Sequence, residues 1–331
     1  MNKTNLRLGS LGLIIPCFNE QPNIVPLLTK IASIAKDNDI NIYPIVIDDG
    51  SNDDTFNISL NCLKENFKNG FALKRFIRNF GKESAILAGL RQSNIYKCDC
   101  TALIDADFQD DPESLIDMYE KWQEGYQLVS CIREKRYKVD PLLKRLSSYL
   151  FYVVFEMSSK FKYRKGIGDF RLMDKSVVSY LLLMPERIRF FKGLVSWIGV
   201  DSSYVISARK HRKKGRSKWN AWKLWNYALD GIFNHSTSPI RIWTYFGLLI
   251  IFSGLIYLFI SLILTFAGVF VIQPGYFSII SLIIFFGGLN MIGIGLLGEY
   301  IGRIFIEVKQ RPEYIIREEV LCDESNSVVN G

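Results

Sequence analysis

In the first 133 residues short apolar runs recur, each ending in polar residues: 11–18 (LGLIIPCF), 42–48 (IYPIVID), 73–79 (LKRFIRN), 101–107 (TALIDAD) and 127–132 (QLVSCI). The runs are continuous rather than alternating, as strands buried on both faces are. Between them, residues 23–35, 54–67, 82–93 and 112–124 carry apolar positions at helical spacing. This alternation of strands and helices predicts an α/β domain on a mostly parallel sheet. Helix starts have local support. Pro22 and Pro112 stand where a first turn tolerates a missing N–H, and Asp53 and Asp111 are placed to cap.

The pattern changes abruptly after Arg241. From Ile242 to Gly298 there is no charged side chain, and Gln273-Pro274-Gly275 divides this stretch into two runs, about 242–272 and 276–300. Each exceeds the ~20 residues that carry a helix across ~30 Å of hydrocarbon. Two transmembrane helices at 241–306 are therefore expected, after a soluble domain at 1–210 and a basic interfacial segment at 211–240. A polar tail at 307–331 should fray beyond Arg317. Nine Lys and Arg against the single acid Asp230 lie between Arg209 and Arg241, and Arg303, Lys309, Arg311 and Arg317 follow the second run. Retention of basic residues on the cytoplasmic side then sets both termini in the cytosol. The N-terminal apolar stretch is short and broken by Gly and Pro, unlike a signal peptide.

Charge narrows the function. The excess of +8 is concentrated beside the expected spans, which suits anionic headgroups or a phosphorylated substrate at the bilayer rather than nucleic acid. Six cysteines lack paired CxxC spacing and only His211 and His235 are present, so any metal should be held by oxygen. Residues 141–161 and 217–233 mix aromatic, leucine and basic side chains as helices lying in the headgroup plane do; packing on a soluble core is the competing reading, and Trp219, Trp222 and Trp225 favour the membrane one.

Ligands of open α/β sheets bind at the carboxyl ends of the strands. Three polar clusters fall there: PCFNE (16–20), DDGS (48–51) and DADFQDD (105–111). In an extended segment Asp105 and Asp107 would share one side, with Gln109 next in the alternation. Unpaired, two carboxylates raise each other's pKa. A divalent cation resolves the conflict, and Mg²⁺, or Mn²⁺ in its place, commonly links one or two carboxylates to substrate phosphates. Asp110 and Asp111 fit the start of the following helix.

IPCFNE, DDGSNDDT and DADFQDDP resemble the successive motifs of the family 2 glycosyltransferases, which have the GT-A nucleotide-sugar fold. GDFRLMDK (168–175), MPERIRFFKGLVSWIGV (184–200), SKWNAWKLWNYALDGI (217–232) and MIGIGLLGEYIGRIFIEVKQRPEYII (291–316) extend the resemblance over nearly the whole chain, to the polyprenyl-phosphate glycosyltransferases. Among these it is closest to the bactoprenol glucosyltransferases of O-antigen modification, which are related to the dolichyl-phosphate mannose synthases. The resemblance implies transfer of a hexose from a nucleotide sugar to polyprenyl phosphate, with inversion, at a bacterial inner membrane. Glucose from UDP-glucose to undecaprenyl phosphate is the expected pair, with UDP-GlcNAc, UDP-galactose and GDP-mannose as alternative donors.

Carried over residue by residue, the resemblance puts Pro16, Phe18, Glu20, Asp48 and Asp49 at the donor nucleotide and Asp105, Asp107 and Gln109 at the metal. An ordinary turn is the competing reading for Asp49 to Ser51. Lys82, after a glycine at a helix start, stands where it can reach a diphosphate or simply be solvated. Arg133, Arg136, Arg171, Arg212, Arg216, Ser217 and Lys218 are candidates for the acceptor phosphate, with Arg133 and Arg171 also catalytic candidates. Asp169 orients the acceptor, acts as a base, or pairs with Arg171. A processive polysaccharide synthase would share the donor motifs but carry QxxRW, which is absent here, and an inactive membrane scaffold would have no need of the intact DAD. Gly287, Gly288, Gly293 and Gly295 allow close helix packing, within one chain or in a homo-oligomer.

Overall fold

The computed structural model describes residues 9–133, 167–187, 189–207, 275–323 and 326–330, with scattered positions between 243 and 267. Two compact units divide the chain: Met1–Ser148, Phe161–Ala221 and Arg311–Gly331 form one, Tyr149–Lys160 and Trp222–Gln310 the other.

The first unit begins with four strand–helix pairs: β1 (Leu11–Cys17), α1 (Gln21–Asp37), β2 (Ile42–Asp48), α2 (Thr55–Asn66), β3 (Gly70–Phe76), α3 (Lys82–Ile95), β4 (Cys100–Leu103) and α4 (Ser114–Gln123). Then come β5 (Leu128–Arg133), β6 (Ile167–Asp174), α5 (Lys175–Leu183), α6 (Phe191–Ile198) and β7 (Ser202–Ser207), and, after the second unit, β8 (Ile316–Asp323) and β9 (Asn326–Asn330). They form one sheet in the order β7-β5-β6-β4-β1-β2-β3-β8-β9.

Both faces of the central strands are dry. Leu11, Leu13, Ile15 and Cys17 of β1 join Val46, Phe71 and Leu73 in the apolar layer under α1, α2 and α4. Ile14, Ile45, Ile47 and Ala72 face the opposite layer with Ala85, Ile86 and Leu90 of α3 and Val177 and Leu181 of α5. Each fully buried Leu or Ile contributes about 1.5–3 kcal/mol relative to exposure, and this two-sided burial is why the runs are continuous. The expected caps shift by one and two residues: Asp53 Oδ1 accepts from Thr55 N at 3.1 Å and Asp111 Oδ1 from Glu113 N at 3.3 Å in the turns before the helices, while the N-cap positions fall on Asp54 and Glu113, neither with a side-chain cap bond.

Four features differ from the pattern reading. Of the eight pairings among described strands, four are parallel and four antiparallel, because β6 and β8 run against the direction shared by the other seven, so the sheet is mixed although most of its strands point the same way. The third strand starts three residues earlier than expected, at Gly70, because Phe71-Ala72-Leu73 is its apolar run and the strand ends before the exposed Ile77. The fourth stops at Leu103, leaving Asp105 and Asp107 in a loop, with Phe108 at φ 57°, rather than on one side of a strand. Residues 316–323, which straddle the start of the expected frayed tail, are ordered instead. They form β8, antiparallel to β3, with Val320 buried and Glu319 paired to Lys74 at 2.8 Å. Apolar Ile316, Val320 and Leu321 fill core positions while its two glutamates meet basic Lys74 and Arg75.

In the second unit α7 (Tyr276–Lys309) runs for 34 residues, about 51 Å at 1.5 Å per residue. Many of its large apolar side chains, among them Ile283, Phe285, Ile301 and Phe305, are exposed. Gly293 lets the Trp243 indole lie against α7, since a Cβ there would collide with Trp243 Nε1. Among the described residues, no helix is long and apolar enough to cross a membrane.

Candidate active site

The polar clusters meet at the carboxyl edge of β1, β2 and β4, as the strand order requires. β1 carries Pro16 near its end and leads into the loop of Phe18, Asn19 and Glu20, with Asn19 at φ 53°. β2 ends in Asp48, Asp49, Gly50 and Ser51. Side chains lace the two loops together. Ser51 N donates to Asp48 Oδ1 at 2.9 Å, Asn19 N to Ser51 Oγ at 2.8 Å, and Asn52 N to Asn19 Oδ1 at 2.9 Å. Glu20 accepts from Asn23 Nδ2 at 2.8 Å while its own N–H donates to Thr55 Oγ1. Arg75 on β3 donates to the Ser51 carbonyl at 2.9 Å and lies 3.5 Å from Asp48 Oδ2. Burial pushes the Asp48 carboxyl above its ordinary value against the pull of Ser51 and Arg75. Gly50 is obligatory here: φ is +72°, and a Cβ would stand 2.5 Å from the carbonyl carbon of Arg78.

Asp49 has a structural role beside the one expected. It accepts from Phe80 N at 2.6 Å and Gly81 N at 2.9 Å, which fixes the loop before α3 and so the position of Lys82. Burial raises its carboxyl to about 6, the two backbone donors opposing.

Lys82, the first residue of α3, bridges two carboxylates. Its Nζ is 2.6 Å from Asp105 Oδ1 and 2.7 Å from Asp169 Oδ2. Lys192 on α6 approaches the other oxygen of Asp169 at 3.3 Å. Burial pushes the Asp169 carboxyl up, but Lys82 and Lys192 outweigh it and hold the group below the carboxylate range. Burial likewise lowers Lys82, and Asp105 and Asp169 more than compensate, keeping it a cation. Burial raises Asp105, helped by Asp169 and Asp107 and opposed by Lys82.

Asp107 accepts from Gln109 N at 3.1 Å and Gln109 Nε2 at 2.9 Å, so Gln109 orients that carboxylate. Arg171 is 2% exposed; its Nε donates to the Gly168 carbonyl, and its charge helps to lower the Asp169 carboxyl. Arg133 closes β5 opposite Ser207 of β7. Arg136, Arg212, Arg216, Ser217 and Lys218 lie outside the described residues, as do the segments at 141–161 and 217–233.

The chain matches Glycosyl transferase family 2 over residues 13–182 and the GtrB C-terminal hairpin over 238–304. It is 40% identical over 308 residues to the SfII prophage-derived bactoprenol glucosyl transferase of Shigella flexneri, covering 93% of this chain and 97% of that one. The prophage bactoprenol glucosyl transferase homolog of Escherichia coli K12 is likewise 40% identical, over 310 residues, 93% of this chain and 98% of its own. The glycosyltransferase sll0501 of Synechocystis is 38% identical over 309 residues, 93% and 95% of the two chains. The chain belongs to glycosyl transferase family 2. Among solved structures, glucosyl-3-phosphoglycerate synthase from Mycobacterium tuberculosis covers 68% of this chain and 80% of its own at 18% identity and TM-score 0.45, a likeness too distant to inform the site.

A family 2 glycosyltransferase implies a divalent ion at the donor diphosphate, and the donor set here fits one kind. Among the described residues no three His, Cys, Asp or Glu side chains gather to hold a metal. Two carboxylates, Asp105 and Asp107, stand on one loop with Asp105 charge-balanced by Lys82. That suits a hard ion completing its shell from diphosphate and water, and not a zinc-type site.

Three site residues escaped the pattern reading of single positions. Lys192 and Glu83 lie 109 positions apart and meet Asp169 only because α3, β6 and α6 pack together, and Arg75 reaches the loop after β2 from the neighbouring strand β3. Glu83 accepts from Phe191 N at 3.2 Å, among Asp169, Lys82 and Lys192. Burial first, then Asp169, raises it to about 7, against Phe191 N and the two lysines. Because this folded value lies above the ordinary value of 4.5, folding takes up a proton between them, and this contribution to stability is lost as pH rises through about 7. Glu83→Gln should flatten the urea midpoint between pH 5 and 8 relative to wild type, with the difference largest above pH 7; parallel curves would contradict the assignment.

Proposed function

We propose that this glycosyltransferase moves one hexosyl unit, glucose from UDP-glucose, to the phosphate of a polyprenyl lipid, undecaprenyl phosphate, with inversion and with Mg²⁺ or Mn²⁺ required. The observation that carries the acceptor class is the Asp169 carboxylate between two ammoniums, 2.7 Å from Lys82 and 3.3 Å from Lys192. A carboxylate so compensated is a poor base, which suits a nucleophile that needs none. A phosphomonoester, with a second pKa near ~6, is already mostly dianionic at neutral pH. The bactoprenol glucosyl transferases, alike over almost their full length, support the same lipid class and sugar.

The laced loops of 16–20 and 48–51 hold the nucleotide, leaving the diphosphate toward Lys82 and the loop of Asp105 and Asp107. Those two carboxylates would hold the divalent ion, which when bound supplies Lewis-acid charge to the leaving diphosphate. An acceptor phosphate oxygen forms the new bond to the sugar C1 as the bond from C1 to the β-phosphate oxygen breaks. Its electron pair leaves with UDP, and polyprenyl phosphoglucose is the product. A single in-line displacement inverts the anomeric carbon.

The acceptor is a membrane lipid, so the uncharged stretch of 242–298 and the exposed apolar side chains of α7 are read as a two-span anchor in a bacterial inner membrane, both termini cytosolic. The hairpin family match over 238–304 supports that reading. The donor assignment is tested by incubating membranes that contain the protein with a panel of labelled nucleotide sugars and extracting lipid. Label from UDP-glucose is expected to exceed that from UDP-GlcNAc, UDP-galactose and GDP-mannose by about 10-fold or more, a ratio a few pocket contacts can supply. Label from GDP-mannose alone would refute the uridine assignment.

A further inference from the structure

A dianionic nucleophile approaching an anionic donor needs a cation on the acceptor side with hydrogen-bonding capacity to spare. The described cations around Asp169 differ in this respect. Lys82 is committed to both Asp105 and Asp169, at 2.6 and 2.7 Å. Arg171 is 2% exposed and donates to Gly168. Lys192, less exposed than Lys82 at 23% against 37%, has one longer contact of 3.3 Å, to Asp169. An ammonium carries three N–H donors, so this single contact leaves capacity for an anion.

Its placement is rigid. Lys192 lies in the first turn of α6, between buried Phe191 and buried Gly193, and Leu194 and Val195 anchor the next turn in the core. Phe191 N is tied to Glu83 on α3, and Gly193 N and Leu194 N donate to the Phe190 carbonyl at 2.9 and 3.0 Å. On the other side, β6 carries Asp169 beside β4, with Arg171 paired to Leu103. The ammonium is therefore brought to the carboxylate by two independently packed elements.

We infer that Lys192 is a catalytic residue that binds the acceptor's phosphate, and that Asp169 is the positioning residue that divides Lys192 from Lys82, so that one lysine serves the acceptor and the other the donor diphosphate. This rests on the polyprenyl-phosphate reading and assigns the two ends of its charge compensation to different side chains. Removing Asp169's charge frees both lysines to compete for the same phosphate.

The full chain in detergent, assayed with UDP-glucose and a short isoprenyl phosphate, separates the two roles. Lys192→Gln is expected to raise KM for the isoprenyl phosphate about 10-fold or more and leave KM for UDP-glucose within about twofold, with Lys192→Arg recovering most of the loss. Asp169→Asn is expected to raise both KM values. An unchanged acceptor KM in Lys192→Gln, or a change confined to the donor, overturns the assignment. A readout without substitution keeps the test open if the variant misfolds: the isoprenyl phosphate, but not the corresponding alcohol, should protect Lys192 of the wild type from acetylation, and equal labelling in both overturns it. Wild-type protein that turns over with the alcohol and not the phosphate refutes the function proposed above and this assignment together. Wild-type turnover with the phosphate but no effect of Lys192→Gln refutes this one alone.

Discussion

Asp107→Ala should leave folding intact and lower transfer by at least about 10²–10³-fold. The side chain stands in a loop after β4, only partly buried, outside both apolar layers, and its removal opens no core cavity. Its expected contribution is to hold the ion that compensates the leaving diphosphate, an effect worth several kcal/mol, and each ~1.4 kcal/mol is a decade in rate. Asp107→Asn is the sharper variant, since an amide can keep a hydrogen bond with Gln109 while losing the charge. Turnover and the thermal midpoint, measured on both variants, check the claim: a lost rate with an unchanged midpoint supports it, and full turnover by either variant removes Asp107 from the metal site.

Lys82→Met should damage both stability and activity. The substitution leaves Asp105 and Asp169 without the ammonium that joins them at 2.6 and 2.7 Å. Breaking a fully buried pair costs about 3–5 kcal/mol. These side chains remain 37%, 23% and 25% exposed, so solvent screening reduces the expected loss to about 2 kcal/mol. Transfer should fall by about 10²-fold or more, because the same lysine faces the donor diphosphate. A second substitution separates the effects: Asp169→Asn in the Lys82→Met background should restore part of the stability, by relieving repulsion, and none of the activity. Denaturant titration of the single and double variants measures this coupling, and strictly additive losses would contradict a shared electrostatic site.

Much of this site was legible because its residues are local to strand ends. IPCFNE, DDGS and DADFQDD each follow an apolar run, and the parallel order of β2, β1 and β4 brings them to one edge without further information. Lys82 was visible for the same reason, as the start of a helix after a glycine. What periodicity could not give was the antiparallel flank. β6 enters between β4 and β5 with Asp169 and Arg171, and α6 follows with Lys192, so these contacts depend on a sheet position that no local spacing encodes. A buried arginine such as Arg171 reads in sequence like a solvent-facing one. The C-terminal strand was misjudged because its glutamates mark it as polar, whereas their partners, Lys74 and Arg75, lie some 240 positions earlier.

The most direct test of the whole account follows both products of one reaction. Purified full-length protein is given UDP-glucose labelled in the sugar, undecaprenyl phosphate and Mg²⁺, and UDP release is compared with label in the extracted lipid, with and without excess chelator. One UDP per lipid-linked glucose, no transfer without the lipid phosphate, and loss of both products in chelator are expected. Undiminished transfer in chelator, or UDP release with no labelled lipid, would contradict this mechanism.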